Sequence, residues 1–376
     1  MTATKKDPVL VVVQLSGGND AINTVIPYGD PYYYDQRPAL GVSSDQILAI
    51  NDHVGFHPSM RPLKNLYDEG KVAVVQGVGF PNCNRSHFRS MDVWHTCEPD
   101  KLATEGWLGR TIRDLDPNKE NVVTGVNFGR GLPHALTLPG VPVASVGNLA
   151  AYGLLPGIEG EERVAALDTF TRVYSPTLGS GFTYDYLSQT GMDAFEGTDI
   201  LRTVPEKYTS SVEYGNNPVA QYLKMMAQTI IADVGTKILY TTSPYNSFDL
   251  HGSAVSLQPK LWTDASNYVQ DFFDDLHEHN LGDNIIMLLF TEFGRRVKDN
   301  GSGTDHGTGG VAFVVGDKVK GGLYSEYPSL ALEKQADGDL RFNYDFRGLY
   351  ATILEQWMGL DSKPIVNGPF EQLDMF

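Results

Sequence analysis

Hydrophobic residues along this chain gather in short unbroken runs rather than alternating with polar ones. VLVVVQL (9–15), KVAVVQGVG (71–79), ENVVTGVNFG (120–129), VPVASVG (141–147), NIIMLLF (284–290) and VAFVVG (311–316) are rich in β-branched residues. Such runs suit parallel strands covered on both faces. Between several of them lie stretches with helical spacing: MRPLKNLYDEG (60–70), SHFRSMDVWHTC (86–97) and LWTDASNYVQDFFDDLHEHNLG (261–282). The last sets Leu261, Tyr268, Phe272, Phe273 and Leu276 near helical spacing, and Gly282 stops it. A final helix, DFRGLYATILEQWMG (345–359), spaces Leu349, Ile353 and Trp357 in the same way. The alternation predicts an α/β fold, a mainly parallel central sheet flanked by helices.

Residues 150–240 break this pattern. GEERVAALDTFTRVYS and NPVAQYLKMMAQTIIADVG read as helices separated by loops rich in Gly, Ser, Thr and Tyr, with no clear strand. The expectation is one α/β domain over 1–376 carrying a largely helical cap at approximately 150–240. Residues 322–345 are polar and loop-rich.

With 376 residues, 41% of them hydrophobic, the chain can bury a large core. Its 29 Lys plus Arg stand against 46 Asp plus Glu, a net charge of -17. A field of that sign disfavours nucleic acid and anionic membrane surfaces as partners. No apolar run approaches the ~18 residues needed to span a bilayer. The N-terminal stretch MTATKKDPVLVVVQL has no twin arginine and no small-residue cleavage site, so VLVVVQL reads as the first core strand. Cys83 and Cys97 flank a helix of about three turns, which holds them too far apart to bridge.

In open α/β sheets, ligands sit beyond the carboxyl ends of the strands. The polar residues there are Asn19 and Asp20, then Asn84, Arg85, Ser86 and His87, then Glu292 and the loop up to His306, together with FDLHGS (248–253) before the long helix. Gly17 and Gly18 permit a sharp turn that leaves Asp20 at the sheet edge, as a cation ligand or as a plain turn cap. Ser86 opens a helix, where it is either a nucleophile among free backbone N–H groups or an ordinary N-cap. No Glu or Gln follows three positions later, so a reciprocal capping box is absent. Asp249 and His251 form an i,i+2 pair that suits a divalent ion. His277 and His279 fit a helix C-terminus, and His53 and His57 fit structural loop positions. The strongest indication is shared location, with Glu292 and His306 returning to the edge that carries Asp20 and Ser86.

VVVQLSGGNDAINTVIPY, DQRPAL, GFHPSMRPLKNLYDEGKVAVVQGVGFPNCNRSHF, FDLHGS, TEFGRR, GTDHGTGGVAFVVGDKVKGGLY and DFRGLYATILEQWMG resemble the bacterial family called domain of unknown function 1501, placed within the alkaline phosphatase-like superfamily. The resemblance runs from about residue 9 to 360 and is weakest in the middle third. It implies the fold already read, and phosphatase- or sulfatase-like transfer by divalent metals with a Ser, Thr or formylglycine nucleophile. By similarity, Asp20 matches the metal-binding aspartate after the first strand, Ser86 the nucleophile, and Asp249 and His251 a metal-binding pair. His306 matches the late histidine of that site, and Glu292 stands where the superfamily has the aspartate of an Asp-His pair. Phe293 departs from the pattern, standing where that pair has its histidine, and the 249–251 spacing is shorter than in alkaline phosphatases. One metal, a differently built pair or no metal all stay open.

The functional expectation is a metal-dependent hydrolase of phosphate or sulfate esters of small molecules or glycans. Zn²⁺, with Mn, Mg, Ca or Fe as alternatives, would be held by Asp20, Asp249, His251, Glu292 and His306. Ser86 or a metal-activated water is the nucleophile, and Arg85 or Arg295 binds the anionic group. The alternatives are a binding or assembly protein that kept the fold and lost the chemistry, and a metal-dependent enzyme of another reaction class. Family members usually carry a twin-arginine export signal, so a chain without one is expected to be a mature exported form or cytoplasmic. The oligomeric state stays open.

Overall fold

The structure is a computed structural model that describes residues 6–153, 158, 160–174 and 181–376. The strands in chain order are β1 (Val9–Gln14), β2 (Val25–Ile26), β3 (Leu48–Ala49), β4 (Gly55–Phe56), β5 (Val72–Gly79), β6 (Gly125–Phe128), β7 (Ala144–Val146), β8 (Ile238–Thr242), β9 (Ile285–Phe290), β10 (Gly310–Val315), β11 (Gly322–Tyr324) and β12 (Tyr344–Asp345). The helices are α1 (Tyr32–Gln36), α2 (Arg61–Asp68), α3 (His87–Thr96), α4 (Trp107–Leu115), α5 (Gly160–Tyr174), α6 (Phe182–Arg202), α7 (Pro218–Ile231), α8 (Ala254–Glu278), α9 (Phe346–Thr352) and α10 (Lys363–Val366). Nine strands form the central sheet in the order β11-β5-β10-β9-β1-β8-β6-β7, with β12 beside β5. β2, β4 and β3 make a small separate sheet.

Two-sided burial explains the unbroken apolar runs. Val9, Val11 and Val13 of β1 enter the core under α2, α7 and α8, while Leu10 and Val12 enter the core under α3, α4 and α9. β9 divides in the same way, with Ile285, Met287 and Leu289 against Ile286, Leu288 and Phe290. Alternation of side chains therefore survives in space although both faces call for the same residue type. Trp262 and Phe272 anchor the first core, and Trp94, Trp107 and Tyr350 the second.

The expected mainly parallel sheet is present, and four elements differ from the expectation. β8 pairs parallel with both β1 and β6, although its ILYTT sequence holds too few apolar residues to form a run. The threonines there contribute β propensity without hydrophobicity. β10 is antiparallel to both β5 and β9. Between the two helices expected in the helical cap, where the sequence reads as loop, α6 is a 21-residue helix. α8 also starts earlier than the sequence pattern implies and carries Pro259 inside it.

The reversal of β10 brings the functional loops together. β1, β5, β8 and β9 point the same way and deliver their carboxyl ends to one edge. An antiparallel β10 starts at that edge, so the residues just before Gly310 return to it. The loops are tied by a buried ion pair after β1. Arg37 meets Asp20 through two contacts of 2.5 and 3.0 Å and also donates to the carbonyls of Val297 (2.6 Å) and Arg296 (3.0 Å). Truncating one partner strands a buried charge, so Arg37→Ala is expected to cost about 3–5 kcal/mol of unfolding free energy in urea titration. A loss under about 1 kcal/mol would mean the pair does not hold these loops.

Candidate metal centre

Five segments converge at the sheet edge. Gly17 and Gly18 follow β1 with φ of 119° and 67°. A Cβ on Gly17 would sit 2.5 Å from the Asp249 nitrogen, and one on Gly18 would sit 2.4 Å from the Phe293 ring, so the backbone must be bare there. Above this turn lies the guanidinium of Arg295, which is fully buried. It donates to the carbonyls of Gly17, Gly18 (2.5 Å), Phe248 (3.2 Å) and Thr304 (3.1 Å) and to Asp249 Oδ1 (2.7 Å). Burial pushes the Asp249 carboxyl up, but the hydrogen bond and charge of Arg295 bring it below its ordinary value. Asp249 is thus held as a carboxylate.

Three imidazoles face that carboxylate, and each is oriented from behind. His87, the first residue of α3, places Nδ1 2.7 Å from Glu292 Oε1. His306 Nδ1 lies 2.9 Å from the Arg85 carbonyl, and His251 Nδ1 lies 3.2 Å from Asp305 Oδ1. These acceptors assign the proton to Nδ1 on all three rings and leave Nε2 with its lone pair. The Nε2 atoms then meet each other: His87 to His306 at 3.1 Å and His251 to His306 at 2.8 Å. Asp249 lies 3.4, 3.2 and 3.1 Å from the Nε2 of His87, His306 and His251. Lone pairs this close repel unless a cation lies among them.

The donor set fits a metal ion. His87, Asp249 and His306 each offer one ligand atom, and those atoms lie within 4.8 Å of one another. Tetrahedral ligation at about 2.0–2.1 Å sets donors roughly 3.3–3.4 Å apart, near the separations found here. Backing of each Nδ1–H by an oxygen is the usual support for a ligating histidine. Burial is the main influence that lowers the His306 pKa, which keeps its ring neutral and able to ligate.

The structure brings Asp249, His251 and His306 of the expected ligands together and adds His87. Glu292 is buried but stands behind His87. Its Oε1 also accepts the Gly17 N–H at 2.9 Å, and its Oε2 accepts the Thr291 hydroxyl at 2.9 Å. Asp20 is outside the cluster because Arg37 occupies both of its oxygens. Ser86 is the N-cap of α3, its hydroxyl accepting the Arg89 N–H at 3.5 Å. Arg85 has a left-handed backbone, φ 61°, that sends its guanidinium to Asp339 (2.8 Å) and Asp337 (3.2 Å). Arg295 binds loop carbonyls and Asp249. Phe293, buried, packs its ring 4.8 Å from that of His87 and 5.1 Å from that of His306. It is a wall behind the cluster in place of a second histidine.

His87 stands among the strand-end residues in the sequence, but the reading there gives it no role. A helical register was the available signal, since His87, Met91 and His95 recur every four residues and share one face of α3. That face lines a cleft of about 510 Å³ whose walls also include Gln14, Phe88, Arg130, Tyr245 and Glu292.

Solved structures similar to this chain include the PsFucS1 sulfatase from Pseudoalteromonas sp., 14% identical over 98% of this chain and 71% of that one, with a TM-score of 0.42. The phosphonate monoester hydrolase of Agrobacterium radiobacter is 11% identical over 98% and 79%, with a TM-score of 0.40. A protein in the alkaline phosphatase superfamily from Vibrio parahaemolyticus is 10% identical over 96% and 69%, with a TM-score of 0.39. Comparison with curated proteins finds no match. The model of the family described as Protein of unknown function (DUF1501) matches residues 183–373, just over half of the chain. The chain belongs to that family, the one its sequence motifs resemble.

The cleft also carries a pH dependence. Burial, with the charge of His134 second, pulls the His95 pKa down from 6.5 to about 3. The unfolded chain therefore takes up a proton that the folded chain refuses. His95 contributes full stability above the unfolded pKa and loses it as pH falls toward the folded value. His57, lowered to about 4 chiefly by burial, acts in the same direction. Unfolding free energy should fall between pH 7 and 5, with His95 contributing up to about 1.4 kcal/mol per unit. His95→Gln should show a shallower slope in urea titrations, and equal slopes would refute the assignment.

Proposed function

We propose that this protein is a hydrolase of phosphate or sulfate esters built around one divalent cation held by His87, Asp249 and His306, with His251 as a further donor. The observation that carries the reading is the convergence of three Nε2 lone pairs on one carboxylate. A set of imidazoles with one carboxylate favours Zn²⁺ or another first-row ion over Mg²⁺ or Ca²⁺. Such an ion supplies Lewis acidity, polarising an ester oxygen and making water acidic enough to attack near neutral pH.

The protein's own groups do the rest. Glu292 and the Arg85 carbonyl fix the tautomers of His87 and His306, and Arg295 keeps Asp249 ionised. Phe293 closes the rear of the cluster, leaving the cleft side for substrate. An anionic ester must overcome a net charge of -17. Arg85 and Arg295 are committed to protein partners. The guanidinium available at the cleft is that of Arg130, which is exposed and pairs with no acid among the described residues. Water is the favoured nucleophile, because the Ser86 hydroxyl faces its own helix.

Elemental analysis of protein purified without chelator should find about one first-row ion per chain, lost in His87→Ala and His306→Ala. The ion-bearing protein should hydrolyse 4-nitrophenyl phosphate, bis(4-nitrophenyl) phosphate or 4-nitrophenyl sulfate. No bound ion after incubation with Zn²⁺, Mn²⁺, Fe²⁺, Mg²⁺ or Ca²⁺ would remove the metal centre. A bound ion with all three esters left intact would remove the hydrolase and favour a binding role.

Ser86→Ala separates the two nucleophiles. It should lower stability by about 1 kcal/mol, as loss of an N-cap does, and leave kcat within about threefold. Loss of turnover with the bound ion retained would instead return the attack to Ser86.

A further inference from the structure

We infer that the cleft beside the cluster binds a sugar ring, so that the ester is carried on a carbohydrate. The inference deepens the hydrolase reading and relies on it for calling the sugar a substrate, whereas sugar binding itself stands apart. Its basis is the floor of the cleft. Gln14, at 6% exposure, is held from within, its Oε1 accepting His95 Nε2–H at 2.9 Å and the Tyr240 hydroxyl. Those two bonds fix which way the amide faces. Nε2, with two N–H donors, is left without a partner among the described residues and faces the cleft. Unpartnered and on the wall of the cleft, those two donors are open to a ligand or to water there.

A second amide lies at the same wall. The Asn246 backbone N–H donates to Ser16 Oγ at 3.1 Å, but its side-chain Oδ1 is buried with no partner. The two amides want groups that both accept and donate, as a row of hydroxyls does. The rim is different in kind. Phe88 and Tyr245 line the cleft and are 78% and 73% exposed, large apolar faces that the fold has not covered. Amides beneath and aromatic faces above match a ring that is polar at its hydroxyls and apolar on its C–H face.

The test is saturation-transfer NMR on the full chain with glucose, galactose, mannose, fucose and N-acetylglucosamine, as monosaccharides and as disaccharides. At least one should bind, and binding should persist after chelation of the ion. Tyr245→Ala and Phe88→Ala change exposed residues and should each weaken binding about five- to ten-fold. Gln14→Leu should weaken it further, and if that variant fails to fold the two rim variants still decide. No binding by any sugar, or binding untouched by both rim variants, would overturn the inference. A signal from 4-nitrophenol alone would also overturn it, since that marks a plain aromatic slot. Sugar binding in a protein that holds no ion would keep the inference and sink the hydrolase.

Discussion

The arrangement hangs on the side chain of Arg295. A guanidinium has five N–H donors in a rigid fork, and here they reach four carbonyls and a carboxylate drawn from the turn after β1, the segment before α8 and the loop before β10. Burying the charge is tolerable because each of the three nitrogens finds an oxygen, and Asp249 supplies the balancing charge. The same contacts determine where Asp249 points and therefore where a cation would sit. Scaffold and chemistry are joined at one residue.

Around it, two kinds of constraint divide the work. The glycines after β1 let backbone approach Asp249 and Phe293 more closely than any side chain permits. Glu292, the Arg85 carbonyl and Asp305 then turn three rings so that their lone pairs face inward. None of these three oxygens belongs to the group of donor atoms that converge, yet without them the imidazoles would be free to present the wrong nitrogen.

Much of the fold was readable in the chain because β1, β5, β9 and β10 are buried on both faces and leave apolar runs that no loop would carry. β8 was hidden by its threonines, which are good strand residues and poor hydrophobic markers. The site was readable as a location more than as a set of roles. Asp249, His251 and His306 were identifiable because strand ends gather at one edge. The surroundings of Asp20, Arg85 and Ser86 turn on contacts that the sequence does not display. Asp20 looks like a ligand until Arg37 is seen beside it. Arg85 looks like an anion binder until its positive φ turns it toward Asp337 and Asp339. Ser86 draws attention from its neighbour, although helical phase makes His87 the residue that faces the edge.

The antiparallel course of β10 has a consequence for how the centre comes into being. Its donors lie at 87, 249, 251 and 306, and they become neighbours only once β5, β9 and β10 have zipped side by side. The pairing of β5 with β10 closes a very long loop, and such pairings form slowly. An unfolded or half-assembled chain therefore offers a passing ion little more than isolated imidazoles. Any ion taken up by the finished edge acts as a latch on the completed topology, drawing the population toward the folded state in proportion to its concentration. In such a protein, cellular metal supply would be read out as persistence of the fold as well as rate of reaction.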